Sequence, residues 1–133
     1  MSEIAVGARG SLSLVVTPSE TAQAVGSGLL PVFSTPMMVA LMENAACACL
    51  TDALADGQTS VGTHIEVEHS AASPIGATVT AVATVTAVEG RRVEFDVIAS
   101  DDAGEIGRGT HSRAIIDGDR LLERATQRLP ARN

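Results

Sequence analysis

Residues 33–57 read FSTPMMVALMENAACACLTDALADG, and the fold turns on how this stretch is read. Thr35 stands directly before Pro36, the pattern of a helix start: a hydroxyl cap, then proline at the first helical position. Neither proline nor glycine follows until Gly57, which suits a helix stop. A helix over 36–56 spans roughly 30 Å at about 1.5 Å per residue. Its residues are nearly all apolar or small, so the spacing predicts a helix buried on most sides. Glu43 interrupts the apolar part. A carboxylate there costs free energy unless it is paired or neutralised, which makes it a candidate for chemistry.

Outward from this helix, the chain reads as strands. On the N-terminal side, residues 10–17 alternate Leu12, Leu14 and Val16 against Ser11, Ser13 and Val15, as a strand with one buried face does. Thr17-Pro18-Ser19-Glu20 breaks it, and 21–32 is expected to be loop with at most a single helical turn. On the C-terminal side, 61–69 alternates again around Ile65 and Val67, and 70–76 (SAASPIG) turns. Residues 77–88 are β-branched at nearly every second position. Glu89-Gly90-Arg91-Arg92 is a tight hairpin; 93–100 then points Val93, Phe95, Val97 and Ala99 inward. DDAG (101–104) turns into a last strand over 105–117, weakened by Gly107 and Gly109. The run RLLERATQRL in the tail is a strand end or a short surface helix. The expected architecture is α+β: one domain over 1–133, in which a curved antiparallel sheet wraps a long central helix. A helix this apolar under one small sheet, with an unpaired edge strand, predicts a homodimer or higher assembly.

Composition narrows the function. The chain has 133 residues, 45% of them hydrophobic, enough for one modest core. It carries two Phe and no Trp or Tyr, which argues against base stacking on aromatics. A net charge of −7 argues further against nucleic acid or an anionic membrane as partner. The N-terminus has no basic region followed by an apolar run, and nothing approaches a membrane span, so a cytoplasmic location is expected. Cys47 and Cys49, two apart on a helix, point to nearly opposite sides and are expected to be small buried hydrophobes rather than a disulfide or shared metal site.

Four stretches, VFSTPMMVALME, VGTHIEVEHSAASPIG, VEGRRVEF and EIGRGTHSRAII, resemble the fluoroacetyl-CoA thioesterase family of hotdog-fold proteins. The likeness runs from about residue 33 to 116. It implies a hotdog fold, a homodimer, and hydrolysis of a short-chain acyl-CoA thioester to free acid and CoA, with coenzyme A entering only as part of the substrate and no separate cofactor. It also implies roles: Thr35, Glu43 and His69 match the family's catalytic threonine, glutamate and histidine, and Gly62 and Arg113 match residues near the acyl group. The family's fluoroacetyl-specific member has an aromatic-rich lid before the helix. Here that segment is SGLLPVFS, with Phe33 as its sole aromatic and the candidate for substrate contact. Asn44 stands where a tryptophan adjoins the glutamate.

Each candidate also has a plainer reading. Thr35 caps a helix, though a helix N-terminus is also where backbone N–H groups meet an oxyanion. Glu43 follows Thr35 by eight residues, so both face roughly the same way; it is a base, a nucleophile, or an interface glutamate paired with an arginine. His69 ends a strand at a turn, where side chains reach into clefts. His64 and His111 have weaker claims. His64, Glu66 and His69 match no standard metal-ligand spacing, and no metal is expected. Arg91 and Arg92 are solvated turn residues within reach of coenzyme A phosphates, and Arg113, mid-strand, is the better site residue. The expectation is a thioesterase whose Thr/Glu/His site lies at or near a dimer interface. Its rivals are an acyl-thioester hydratase or dehydratase and a non-catalytic acyl-CoA binding module.

Overall fold

A computed structural model describes residues 3–131. Five strands form one antiparallel sheet: β1 (Arg9–Val15), β2 (Gln58–His69), β3 (Thr78–Glu89), β4 (Arg92–Asp101) and β5 (Gly104–Asp117), in the order β1-β3-β4-β5-β2. A short α1 (Ala22–Val25) precedes the long α2 (Thr35–Leu50), and α3 (Gly118–Gln127) follows β5. The expected strands are all present. The tail is a helix, and the 21–32 segment does hold one helical turn.

Period-two alternation places the core. Val79, Ala81, Ala83 and Val85 of β3 and Val93, Phe95, Val97 and Ala99 of β4 all face α2 and are buried. From α2, Met38, Leu41, Met42, Ala45, Ala46 and Leu50 meet them. Two glycines set how closely the helix lies. A Cβ on Gly10 would run into the Ala45 carbonyl and stand 2.8 Å from the Cys49 nitrogen. A Cβ on Gly107 would stand 2.7 Å from Met38 Sδ, so this glycine marks close packing rather than weakness.

The helix differs from expectation in three respects. It ends at Leu50, not Asp56: the Thr51 hydroxyl bonds the Cys47 carbonyl and the chain tightens into a 3₁₀ turn over Thr51–Ala53. Its cap is Ser34, whose hydroxyl accepts from the Met37 N–H, with Thr35 the first helical residue. Its burial is one-sided: Val39, Ala40 and Glu43 are half-buried and Asn44 and Ala48 exposed, because the sheet curves around only part of the helix. Cys47 and Cys49 are likewise half-buried, and both are free.

Candidate active site

The six sequence candidates fall into two clusters, one at the C-terminal end of β2 and one near its middle. At the C-terminal end of β2, the Thr35 hydroxyl lies 2.7 Å from His69 Nδ1. Because Ser34 caps the helix, the Thr35 hydroxyl is released for this bond. Phe33, buried, meets the His69 ring edge-on with centroids 6.5 Å apart. These residues line an open cavity of about 260 Å³ with Ser70, Ala71 and Ala72. Burial pushes the His69 pKa below its ordinary value, while the Ala71 carbonyl opposes this by favouring the protonated ring. His69 Nε2 is buried without a hydrogen-bond partner among the described residues. With the ring proton on Nε2, Nδ1 accepts from the Thr35 hydroxyl.

The second cluster sits over Gly62. Glu43, Gly62 and His111 line a separate cavity of about 240 Å³ with Thr63, His64 and Ile65. A Cβ on Gly62 would stand 2.6 Å from Glu43 Oε2, 3.2 Å from His111 Cε1 and 3.4 Å from Arg113 Nη1. Three chemistry-bearing side chains therefore converge on a position that only glycine leaves clear. Arg113 is buried, and its Nη1 stands 3.6 Å from Glu43 Oε2, in ion-pair range and beyond hydrogen-bond range. Arg113 Nε donates to Ser60 Oγ at 2.9 Å and Nη2 to the Ser60 carbonyl at 3.0 Å.

One expectation needs correction here. Glu43 is not buried within the single chain: 40% of its side-chain surface is open, because this face of α2 lies beyond the sheet's cover. It does pair with an arginine, the plainer of its expected roles. Within the single chain, Thr35, Glu43 and His69 do not meet at one point. Eight residues of helix separate Thr35 from Glu43 by about 12 Å, and seven residues of strand separate Gly62 from His69 by roughly 20 Å. His64 and Glu66 share the outer face of β2 while His69 lies on the inner one, so that trio does not converge. No group of three His, Cys, Asp or Glu side chains placed to hold a metal occurs among the described residues. Arg92 is solvated and pairs with Glu94. The sequence reading missed Ser34 and Ser60 and undervalued His111. For His111 a signal existed: it shares inward parity with Arg113 and Ile115 on β5, and polar rings on a core face are uncommon.

A helix half-enclosed by a five-stranded antiparallel sheet, with polar groups gathered along one open strand, is the architecture of hotdog-fold thioesterases. Residues 16–119 match the family described as fluoroacetyl-CoA-specific thioesterase, and the chain belongs to that family. A fluoroacetyl-CoA thioesterase from Streptantibioticus cattleyicolor is 45% identical over 100 residues, 75% of this chain and 72% of that one. A solved fluoroacetyl-CoA thioesterase structure superposes with a TM-score of 0.91 at 38% identity, covering 97% of this chain and all (100%) of that one. A Thermus thermophilus protein described as a thioesterase superfamily member superposes at 0.87 with 31% identity, covering 96% and 97%. No helix is long and apolar enough to cross a membrane among the described residues.

Proposed function

We propose that this chain hydrolyses short-chain acyl-CoA thioesters at a site assembled from two copies, with Glu43 contributed by one subunit and Thr35 and His69 by the other. The observation that carries the reading is the split along β2. Thr35–His69 lies at the C-terminal end of β2 and Glu43–Gly62 near its middle, too far apart along the sheet's open edge to act on one acyl group within one chain. The edge itself supplies the remedy. Two β2 strands paired antiparallel about a twofold near the middle of β2 bring the Gly62 region of one subunit toward the partner subunit's His69. Such pairing also satisfies the exposed N–H and C=O groups of β2. It brings cover to the half-open face of α2 on which Glu43 stands.

In this arrangement the thioester carbonyl lies between the two clusters. The Glu43 carboxylate drives attack on the acyl carbon, as base for a water or by direct addition followed by hydrolysis. The carbonyl oxygen becomes an oxyanion, met by N–H groups of the β2 backbone near Gly62. The carbon–sulfur bond breaks, and the Thr35–His69 pair relays the proton that the departing thiolate takes up. The products are the free acid and CoA. The fluoroacetyl-CoA thioesterase has been solved with acetyl-CoA in a threonine-to-serine variant and with fluoroacetate and CoA in a phenylalanine-to-alanine variant, which supports an acyl-CoA of this size here. The segment before α2 offers Phe33 as its single aromatic, so discrimination for fluorine is expected to be weak.

The test is a panel of acyl-CoAs with free thiol followed over time. Thiol release from acetyl- and propionyl-CoA supports the reading. A change in an enoyl chromophore without thiol assigns the chain to hydration chemistry instead, and binding with neither assigns it to a binding module.

A further inference from the structure

The buried histidine of β5 has no part in the chemistry set out above, and its two hydrogen bonds fix its state. His111 is 1% exposed. Its Nδ1 lies 2.7 Å from the His64 carbonyl oxygen, which can only accept, so Nδ1 carries a proton. Its Nε2 lies 3.1 Å from Arg113 Nη1, which can only donate, so Nε2 carries a lone pair. The two bonds together select the neutral Nδ1–H tautomer. Phe95 stacks on the ring with centroids 6.1 Å apart and planes 29° apart.

We propose that His111 is the positioning residue that holds Arg113 beside Glu43 without letting the two close into a hydrogen-bonded pair; the proposal rests on the reading of Glu43 as the active carboxylate. Guanidinium and carboxylate form a two-pronged pair whenever geometry allows. Here Arg113 is held back at three points, Ser60 Oγ, the Ser60 carbonyl and His111 Nε2. Only the last restrains Nη1, the nitrogen nearest Glu43. His111 Nε2 takes one Nη1 hydrogen and fixes where Nη1 stands, 3.6 Å from Glu43 Oε2, so that the carboxylate is charge-compensated beyond hydrogen-bond range. Burial lowers the His111 pKa, the His64 carbonyl opposes that, and the Arg113 charge adds to it, so the neutral ring is the state this environment favours. A protonated ring would set Nε2–H against Nη1–H.

The experiment combines kinetics with spectroscopy on the full chain. His111→Leu is expected to lower kcat roughly 10- to 100-fold, the scale of one lost hydrogen bond to a charged group, with KM changed by less than about 3-fold. His111→Gln, whose amide can again accept from Arg113, is expected to recover most of that loss and guards against a variant that fails to fold. In an Arg113→Met background, His111→Leu is expected to cost no further kcat, because its effect runs through Arg113. A long-range proton–nitrogen spectrum of the wild type is expected to show His111 Nδ1 protonated and Nε2 bare. Full kcat in folded His111→Leu, an equal loss with and without Arg113, or an Nε2–H tautomer would each overturn the proposal. Glu43→Gln assayed alongside separates the failures. If it is inactive while His111→Leu is unaffected, only the positioning role falls. If it turns over normally, the Glu43 reading falls and takes this proposal with it.

Discussion

Replacing Gly62 with alanine adds one methyl group to the point where Glu43, His111 and Arg113 meet. The new carbon would lie 2.6 Å from Glu43 Oε2, whereas ordinary contact begins at 3.4 Å, so the carboxylate oxygen must retreat by about 0.8 Å. The other two contacts, 3.2 Å and 3.4 Å, need little or no relief, so the displacement falls on Glu43. Glu43 can yield, being the end of a flexible and 40% open side chain, and the fold is not strained. Gly62 does not adopt a positive φ, so alanine meets no backbone penalty. In a strand it restrains the unfolded chain and should leave stability unchanged or raised by up to ~1 kcal/mol. Activity behaves differently. A misplacement near 1 Å at a reacting group costs on the order of 10²-fold in rate. Gly62→Ala is therefore expected to lose about two orders of magnitude in kcat for thiol release while its thermal midpoint holds or rises. Wild-type turnover in this variant would mean that the carboxylate had moved without consequence and that its placement has no part in the chemistry.

Glu43→Gln should lose ~10²- to 10⁴-fold in kcat, the range for a missing general base, at a thermal midpoint near wild type; thiol release and calorimetry on the same sample decide it. Thr35 and Ser34 should separate cleanly: Ser34→Ala loses the α2 cap and ~1 kcal/mol of stability, while Thr35→Val loses the hydrogen bond to His69 and turnover with little change in melting. His69 and His111 both have folded pKa values depressed below the ordinary ~6.5. Below that pH the unfolded chain takes up protons first, so the stability these residues contribute is full above it and is lost as pH falls through their folded values. The thermal midpoint should fall between about pH 7 and pH 5, less steeply in His111→Gln; a flat profile would contradict this. Fluoroacetyl-CoA and acetyl-CoA should be hydrolysed with kcat/KM within about tenfold of each other, and a preference of several orders of magnitude would show that something other than an aromatic lid reads fluorine.

The strands were legible because alternation survives any register. Val93, Phe95, Val97 and Ala99 face the core as their spacing requires. The helix start was legible only to within one residue, since Ser34 and Thr35 are adjacent hydroxyls before a proline and either could cap. Its end was not legible: no glycine or proline stands at Leu50, and the stop is made by a threonine hydroxyl reaching back one turn. The site residues were named through resemblance, and Glu43 also through its charge amid apolar neighbours. Their division was hidden, because an eight-residue spacing on a helix reports a shared face and not a shared location. In the sequence alone His111 has a weaker claim than His69. Its importance comes from long-range neighbours, Arg113 Nη1 and the His64 carbonyl, which no local pattern shows.

Whether one active site needs two chains is decided by subunit mixing. Glu43→Gln and His69→Ala proteins, each inactive alone, are unfolded, mixed in equal amounts and refolded together. If each site takes Glu43 from one subunit and His69 from the other, every mixed dimer holds one site with both residues intact. Half the dimers are mixed, so roughly a quarter of wild-type activity should return. If both residues act within one chain, every site in every dimer lacks one of them, and the mixture should stay as inactive as its parents.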